Sequence, residues 1–233
     1  MATGSIQNKD AFLNKIAGKL GRARQEHVPI PDWEFQPQLD VFQKESTDQL
    51  MEFFEVNSQA KSVDVLKTKA DDLLKTVAEA VEKHGGGSLV ATKDERFEQY
   101  GLTEILERED SYVWDAALGE KNIRIAKRAN IGIFFSEIGL AESGTVVQFN
   151  DKDIARSVSL LPRTYISIVP KSSIVPRMTQ AAQAIHSQVE AGKPLATCVN
   201  FISGPSNSAD IEMNIVIGVH GPVEAVHIIV EDR

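Results

Sequence analysis

The sequence predicts an α/β fold preceded by a helical arm. Three observations carry that reading. From Ser46 onward, segments with helical spacing alternate with short β-prone runs at the intervals of α/β units. Two apolar runs, "SVSLLP" and "TYISIVP", close on prolines that a central hydrogen-bond ladder could not continue. A chain of 233 residues, 42% of them hydrophobic, is long enough to bury a sizeable core.

The elements follow in order. Phe12, Leu13, Ile16 and Leu20 share one helical stripe, and Gly21 suits the left-handed position past a helix end. "RARQEHVPIPDWEFQPQ" has three prolines and reads as an extended connection, so residues 1–45 form an arm and 46–233 the α/β domain. Trp33 and Phe35 are its anchors, either on its own domain or on a neighbouring subunit. Ser46 or Thr47 caps a helix with Leu50, Phe53 and Phe54 on one side, and "KSVDVLKT" follows as a strand. Leu73, Leu74, Val77 and Val81 define the next helix. Gly85-Gly86-Gly87 stops that helix; a dinucleotide loop would follow a strand and open a helix, the reverse order.

"SLVAT" and "SYVWD" read as strands flanking short helical pieces, and "GEKNIRIAKR" as a helix with a basic end. Ile131 to Phe135, a turn, and Thr145 to Phe149 are expected to begin the sheet centre, with "SVSLLP" and "TYISIVP" as two more strands. Ser173 can cap the following helix, whose stripe is Met178, Ala182, Ile185 and Val189 until Gly192 and Pro194 end it. The C-terminal stretch reads as a strand, a Gly/Pro/Ser loop and two β-rich runs split by "GVHGP".

Composition narrows the function classes. Thirty-three acidic against 25 basic residues give a net charge of -8, which repels phosphate backbones and anionic membranes, so nucleic acid is not an expected partner. Cys198 is the single cysteine: it forms no internal disulfide, supplies no iron–sulfur cluster or Cys-rich zinc site, and sits among β residues as a small packing group. No apolar stretch reaches membrane-spanning length, and the amphipathic N-terminus lacks a signal-peptide pattern; the expectation is a cytoplasmic protein with no membrane insertion. His27, His84 and His186 lack paired ligand spacing and His227 stands alone in a strand, so no metal site is proposed.

Chemistry concentrates in two loops. "GLAESGTVVQF" presents Glu142 from a glycine-flanked turn, as a base, a nucleophile or an acceptor for a hydroxyl, or else as a solvated turn residue. "ISGPSNSADIE" gathers Ser203, Ser206 and Ser208 around Gly204, either a cradle for phosphate or carboxylate or a tight turn closed by Asn207 and Asp210. Asp210 and Glu212 share a face if the segment is a strand and can form an acid–base pair; the other reading is a cap and a surface charge. His220, between glycines, is a general base, hydrogen-bond donor or single ligand, or a structural turn residue.

"GLAESGTVVQF", "FISGPSNSADIE" and "GVHGPVEAVHIIVED", with the opening "GSIQNKDAFLNKIAGKLGR", together resemble the lactate utilization protein C family, built on the LUD domain, nearly end to end. The resemblance implies a three-layer α/β/α fold with a mainly parallel central sheet, similar to the superfamily of glucosamine-6-phosphate isomerase, ribose-5-phosphate isomerase and CoA transferases. It also implies a part in oxidising L-lactate to pyruvate beside iron–sulfur partner subunits, as a substrate-binding, accessory or regulatory component, with a small anion such as lactate as ligand and no cofactor identified. The alternatives are a stand-alone isomerase- or transferase-like enzyme acting on a small anionic metabolite, and a scaffolding subunit held by the Trp33 arm. In CoA transferases of similar fold a glutamate beside a glycine turn is the covalent nucleophile, and Glu142-Ser143-Gly144 looks like that placement. Here Thr145-Val146-Val147 replaces the further glycine-rich continuation, which argues against acyl transfer. Carried over position by position, the cleft is bounded by Glu142, Ser143, Gly144 and Thr145, then Ser203, Gly204, Ser206, Asp210 and His220, with Glu142, Asp210 and His220 as catalytic candidates. All lie in loops at strand ends, where open α/β sheets bind ligands.

Overall fold

The structure, a computed structural model, describes residues 6–25, 27–29, 31–211 and 213–232, with the side chains of 210 and 211 outside that description. The chain forms two compact units, Met1–Pro37 and Gln38–Arg233. In the first, α1 (Lys9–Lys19) ends where Gly21 takes φ +66°; the Gly21 N–H donates to the Gly18 carbonyl and the Arg22 N–H to that of Ala17, closing the helix end. The expected stripe is largely uncovered: Leu13 is half-buried, whereas Phe12, Ile16 and Leu20 face solvent, as do Trp33 and Phe35.

The second unit is built on a six-stranded sheet in which every neighbouring pair is parallel. Its strands are β1 (Val63–Lys69), β2 (Leu89–Ala91), β3 (Ser111–Val113), β4 (Ile131–Phe135), β7 (Thr164–Pro170) and β12 (Glu224–Glu231), in the order β1-β12-β7-β4-β2-β3. The central strands read as continuous apolar runs because both faces are covered; all seven residues of β7 are buried.

One face carries α3 (Leu73–Lys83), α4 (Arg96–Gln99) and α5 (Thr103–Leu106), whose Val77, Val81, Phe97 and Ile105, with Leu102 just before α5, join sheet residues such as Ile133 and Ile228 in the largest core. The opposite face is covered by α2 (Thr47–Gln59), α6 (Glu120–Arg128) and α7 (Arg156–Leu160), together with a second sheet. That sheet comprises β5 (Ile138–Leu140), β6 (Thr145–Asn150), β8 (Ile174–Val175) and β9 (Cys198–Ile202), in the order β8-β5-β6-β9. Its outer face packs against α8 (Met178–Glu190). A hairpin of β10 (Asn207–Ile211) and β11 (Asn214–Ile217) follows β9. The expected α/β/α layering is present, with the small sheet filling part of one helical layer.

Ser46 caps α2 as expected, in a reciprocal arrangement: its N–H donates to Gln49 Oε1 (2.8 Å) and its Oγ accepts from the Gln49 N–H (3.3 Å). Several expectations need correction. "SVSLLP" is helical, as α7, because a short apolar run suits a buried helical turn as well as a strand; Val158 lies so close over β4 that only glycine fits at position 132. Residues 138–140 are strand β5 where a turn was expected, and β6 belongs to the small sheet; Ile131–Phe135 does lie at the centre of the large sheet, as β4 beside β7. Ser173 does not cap α8: its Oγ donates to the Pro170 carbonyl, and the helix starts at Met178 after Arg177. The α8 residues facing the small sheet are Ala181 and Ala184, whereas Met178, Ala182 and Val189 are exposed. Part of the Gly/Pro/Ser loop is strand β10.

Candidate functional site

The turn between β5 and β6 runs under the end of α2 at the closest possible approach. Gly144 has φ +56°, and a Cβ there would lie 2.3 Å from the Ser58 nitrogen. Two side chains from α2 and its exit fix the turn: Ser58 Oγ donates to the Gly144 carbonyl (3.3 Å), and the Lys61 ammonium donates to the Ser143 carbonyl. With its carbonyls held, the turn offers its hydroxyls: Ser143 Oγ lies 2.7 Å from Thr145 Oγ1, which lies 2.9 Å from Ser203 Oγ at the end of β9. The ESGT turn and the SG loop therefore share one chain of three hydroxyls beside a half-buried lysine.

Beneath them runs a buried polar spine. His227 in β12 is fully buried, with Nδ1 3.1 Å from Ser58 Oγ and Nε2 3.1 Å from the Tyr165 hydroxyl. The Gly204 N–H donates to that hydroxyl, so the Tyr165 O–H donates to Nε2, the Nδ1 proton goes to Ser58, and Ser58 donates to Gly144. One consistent direction of donation links the two loops through the core. Burial, aided by the nearby Lys61 charge, pushes the His227 pKa down to about 3, so the imidazole is neutral. Burial likewise raises that of Tyr165, keeping its proton in place.

The expected site residues separate into groups. Ser143, Gly144, Thr145, Ser203 and Gly204 come together. Glu142 turns the other way, to Arg177, in a two-point ion pair (Nε–Oε2 and Nη2–Oε1, both 2.9 Å) on the exposed side of the turn. Ser206 sits at the base of the hairpin, where its Oγ accepts from the His220 N–H (3.3 Å), its N–H donates to the Pro222 carbonyl and its carbonyl accepts from Gly218; His220 itself is exposed. Asp210 lies in β10 with its side chain outside the described residues, as does all of Glu212. The cluster lies, as expected, at strand ends, here the amino ends of the parallel strands next to Val63 and Tyr165.

Sequence reasoning missed Ser58, Lys61, Tyr165 and His227. It also missed a second polar cluster at the carboxyl ends of β2 and β4. There the Arg96 guanidinium bridges Asp94 (Nη2–Oδ2 2.6 Å) and Glu137 (Nη2–Oε1 2.6 Å), donates to the Ser136 carbonyl and lies 5.0 Å from the centre of the Phe135 ring. Glu137 also accepts from the Phe149 N–H (2.7 Å), and burial outweighs its partners in raising its pKa.

Fold and site together define an open parallel α/β domain carrying a hydroxyl-lined surface site flanked by one lysine. The chain belongs to the LUD domain family, whose model matches residues 51–230. It is similar to proteins named lactate utilization protein C: 51% identical to that of Geobacillus sp. (strain WCH70), 49% to that of Bacillus subtilis (strain 168) and 46% to that of Macrococcus caseolyticus (strain JCSC5402), in each case over the whole of both chains. Among solved structures it is similar to a DUF162 family protein from Deinococcus radiodurans, with a TM-score of 0.58 and 18% identity over 80% of this chain and 99% of that one, a likeness of fold alone.

Proposed function

We propose that this chain is a component of bacterial lactate utilization that supports the oxidation of L-lactate to pyruvate alongside iron–sulfur partner proteins in the cytoplasm, binding a small hydroxy acid rather than carrying electrons. The observation that carries this reading is the full-length similarity, at 46–51% identity, to proteins named lactate utilization protein C. The site favours binding over chemistry. An ammonium and three hydroxyls give a carboxylate several donors, and the same hydroxyls accept from an α-hydroxyl, with no carboxylate among them to repel the ligand. Glu142, which a stand-alone transferase would need as its nucleophile, faces Arg177 and away from these hydroxyls. With a single cysteine the chain has too few thiolates for a cluster, so the electron relay belongs to other subunits.

A clean deletion tests it. Growth on L-lactate should be lost and glucose growth kept, with wild-type protein restoring the first and Lys61→Gln protein, folded and equally abundant, failing to do so. Normal lactate growth of the deletion strain would overturn the reading.

A further inference from the structure

The connections of the large sheet part at β2. The chain leaving β2 enters α4 and α5 on one face, whereas the chains leaving its two neighbours, β3 and β4, enter α6 and the small sheet on the other. Connections that part to opposite faces open a crevice beyond the carboxyl ends of the strands, the place where open α/β sheets take ligands. This crevice holds a cavity of about 520 Å³. Thr92, the first residue past β2, and Val113, the last of β3, line it together with Asp153. Hydrogen bonds fix these walls: the Lys93 N–H donates to the Asp153 carbonyl (3.2 Å), and Trp114 Nε1–H to the Lys152 carbonyl (3.1 Å).

Thr92 stands out among the lining residues. It is fully buried, and its Oγ1 has no hydrogen-bond partner among the described residues. A buried hydroxyl left unbonded is costly, and beside a cavity a group from outside can complete it. The charges select that group. Four carboxylates, of Asp94, Glu95, Glu98 and Asp153, line the cavity with one ammonium, that of Lys93. Asp94 is held by Arg96 (2.6 Å) and Asp153 by Lys152 (2.7 Å), but Glu95 and Glu98 are exposed and make no ion pair among the described residues. The remaining balance is negative, which repels a carboxylate or phosphate and draws a cation. Among the described residues no three His, Cys, Asp or Glu side chains are grouped to hold a metal ion, which favours an organic cation. Phe97, Leu106 and Val113 add apolar lining for the rest of such a molecule.

We infer that this crevice is a second ligand site, which binds a small primary ammonium carrying an apolar body. The ammonium donates to the Thr92 hydroxyl oxygen and is balanced by Glu95 and Glu98, while the apolar body lies against Phe97, Leu106 and Val113. A cavity of about 520 Å³ is of the size that holds small molecules, and a body as large as a phenyl ring fits it. The hydroxyl cluster lies at the amino ends of the parallel strands and this crevice at the carboxyl ends, so the two sites can be filled at once.

Amide chemical shifts of the isotopically labelled full chain, titrated with 2-phenylethylammonium up to about 10 mM, where a millimolar site is largely filled, test the inference. Saturable shifts are expected at residues 92–98, 113 and 153. 3-Phenylpropanoate, of similar shape and opposite charge, should give none there, and 2-phenylethanol should bind more weakly than the ammonium. Thr92→Val keeps the shape of the side chain and removes the unbonded hydroxyl; it should weaken the ammonium roughly tenfold without lowering the melting temperature. Glu98→Gln, an exposed substitution that leaves folding alone, should weaken the ammonium but not the alcohol. No saturable shifts at these residues, equal shifts with the propanoate, or an unchanged ammonium affinity in either variant overturns the inference.

Discussion

Replacing Gly144 by alanine isolates the closest approach in the site. The new Cβ would meet backbone atoms: the Ser58 nitrogen at 2.3 Å, the Asn57 carbonyl carbon at 2.6 Å and the Ser58 Cα at 2.7 Å. None of these belongs to a flexible side chain, so the whole end of α2 must retreat from the turn. Holding a residue with a side chain at φ +56° costs about 1–2 kcal/mol, and forcing extra volume into a packed contact a further 1–3, or roughly 2–5 kcal/mol together. For a chain of this size each kcal/mol moves the melting temperature by roughly 2–4 °C. Gly192→Ala is the control, since φ is +65° there but a Cβ meets nothing within 4 Å, leaving only the backbone cost of about 1–2 kcal/mol. Urea unfolding of the three proteins, compared at a common m value, measures both. Equal losses for the two variants would refute the claim that the turn is clamped under α2.

His227 is neutral when folded, with a pKa near 3, and titrates near 6.5 when unfolded, so the unfolded state takes up its proton first. The stability it supports is complete above pH 6.5 and falls by up to about 1.4 kcal/mol per pH unit as pH drops from there toward 3; His227→Gln should flatten that part of a pH–stability curve, and an unchanged slope would contradict the buried spine. Glu142→Gln weakens a pair with partly exposed partners and should cost under about 1 kcal/mol while leaving lactate growth intact; loss of growth with normal stability would restore Glu142 as a reactive group. Arg96→Met leaves Asp94 and Glu137 without their shared cation and should cost about 3–5 kcal/mol by chemical denaturation, whereas a neutral result would mean that water already serves those carboxylates.

What the sequence could reveal followed from how local each cause is. Ser46 and Gln49 cap each other across three residues, and Val77 and Val81 repeat at helical spacing, so α2 and α3 were readable directly. "SVSLLP" was not, because five residues are too few to separate the two periods and the deciding contact, with Gly132 in β4, comes from elsewhere in the chain. The hydroxyl cluster was half legible: Ser143, Thr145 and Ser203 stand beside glycines that advertise turns. Lys61 and His227 carried no such mark, since Ser58 and His227 meet across 169 positions and Lys61 reaches Ser143 across 82. The surroundings of Glu142 were hidden for the same reason. Its partner Arg177, 35 residues on, is invisible to any local reading of a carboxylate in a glycine turn.

The most direct measurement of the proposed role is a titration of isotopically labelled protein with L-lactate, followed by amide chemical shifts. The account places the saturable shifts at residues 143–145 and 203–204, with Lys61→Gln abolishing them and acetate, which lacks the α-hydroxyl, binding more weakly. Saturable shifts confined to other residues, or none at any lactate concentration, would contradict it.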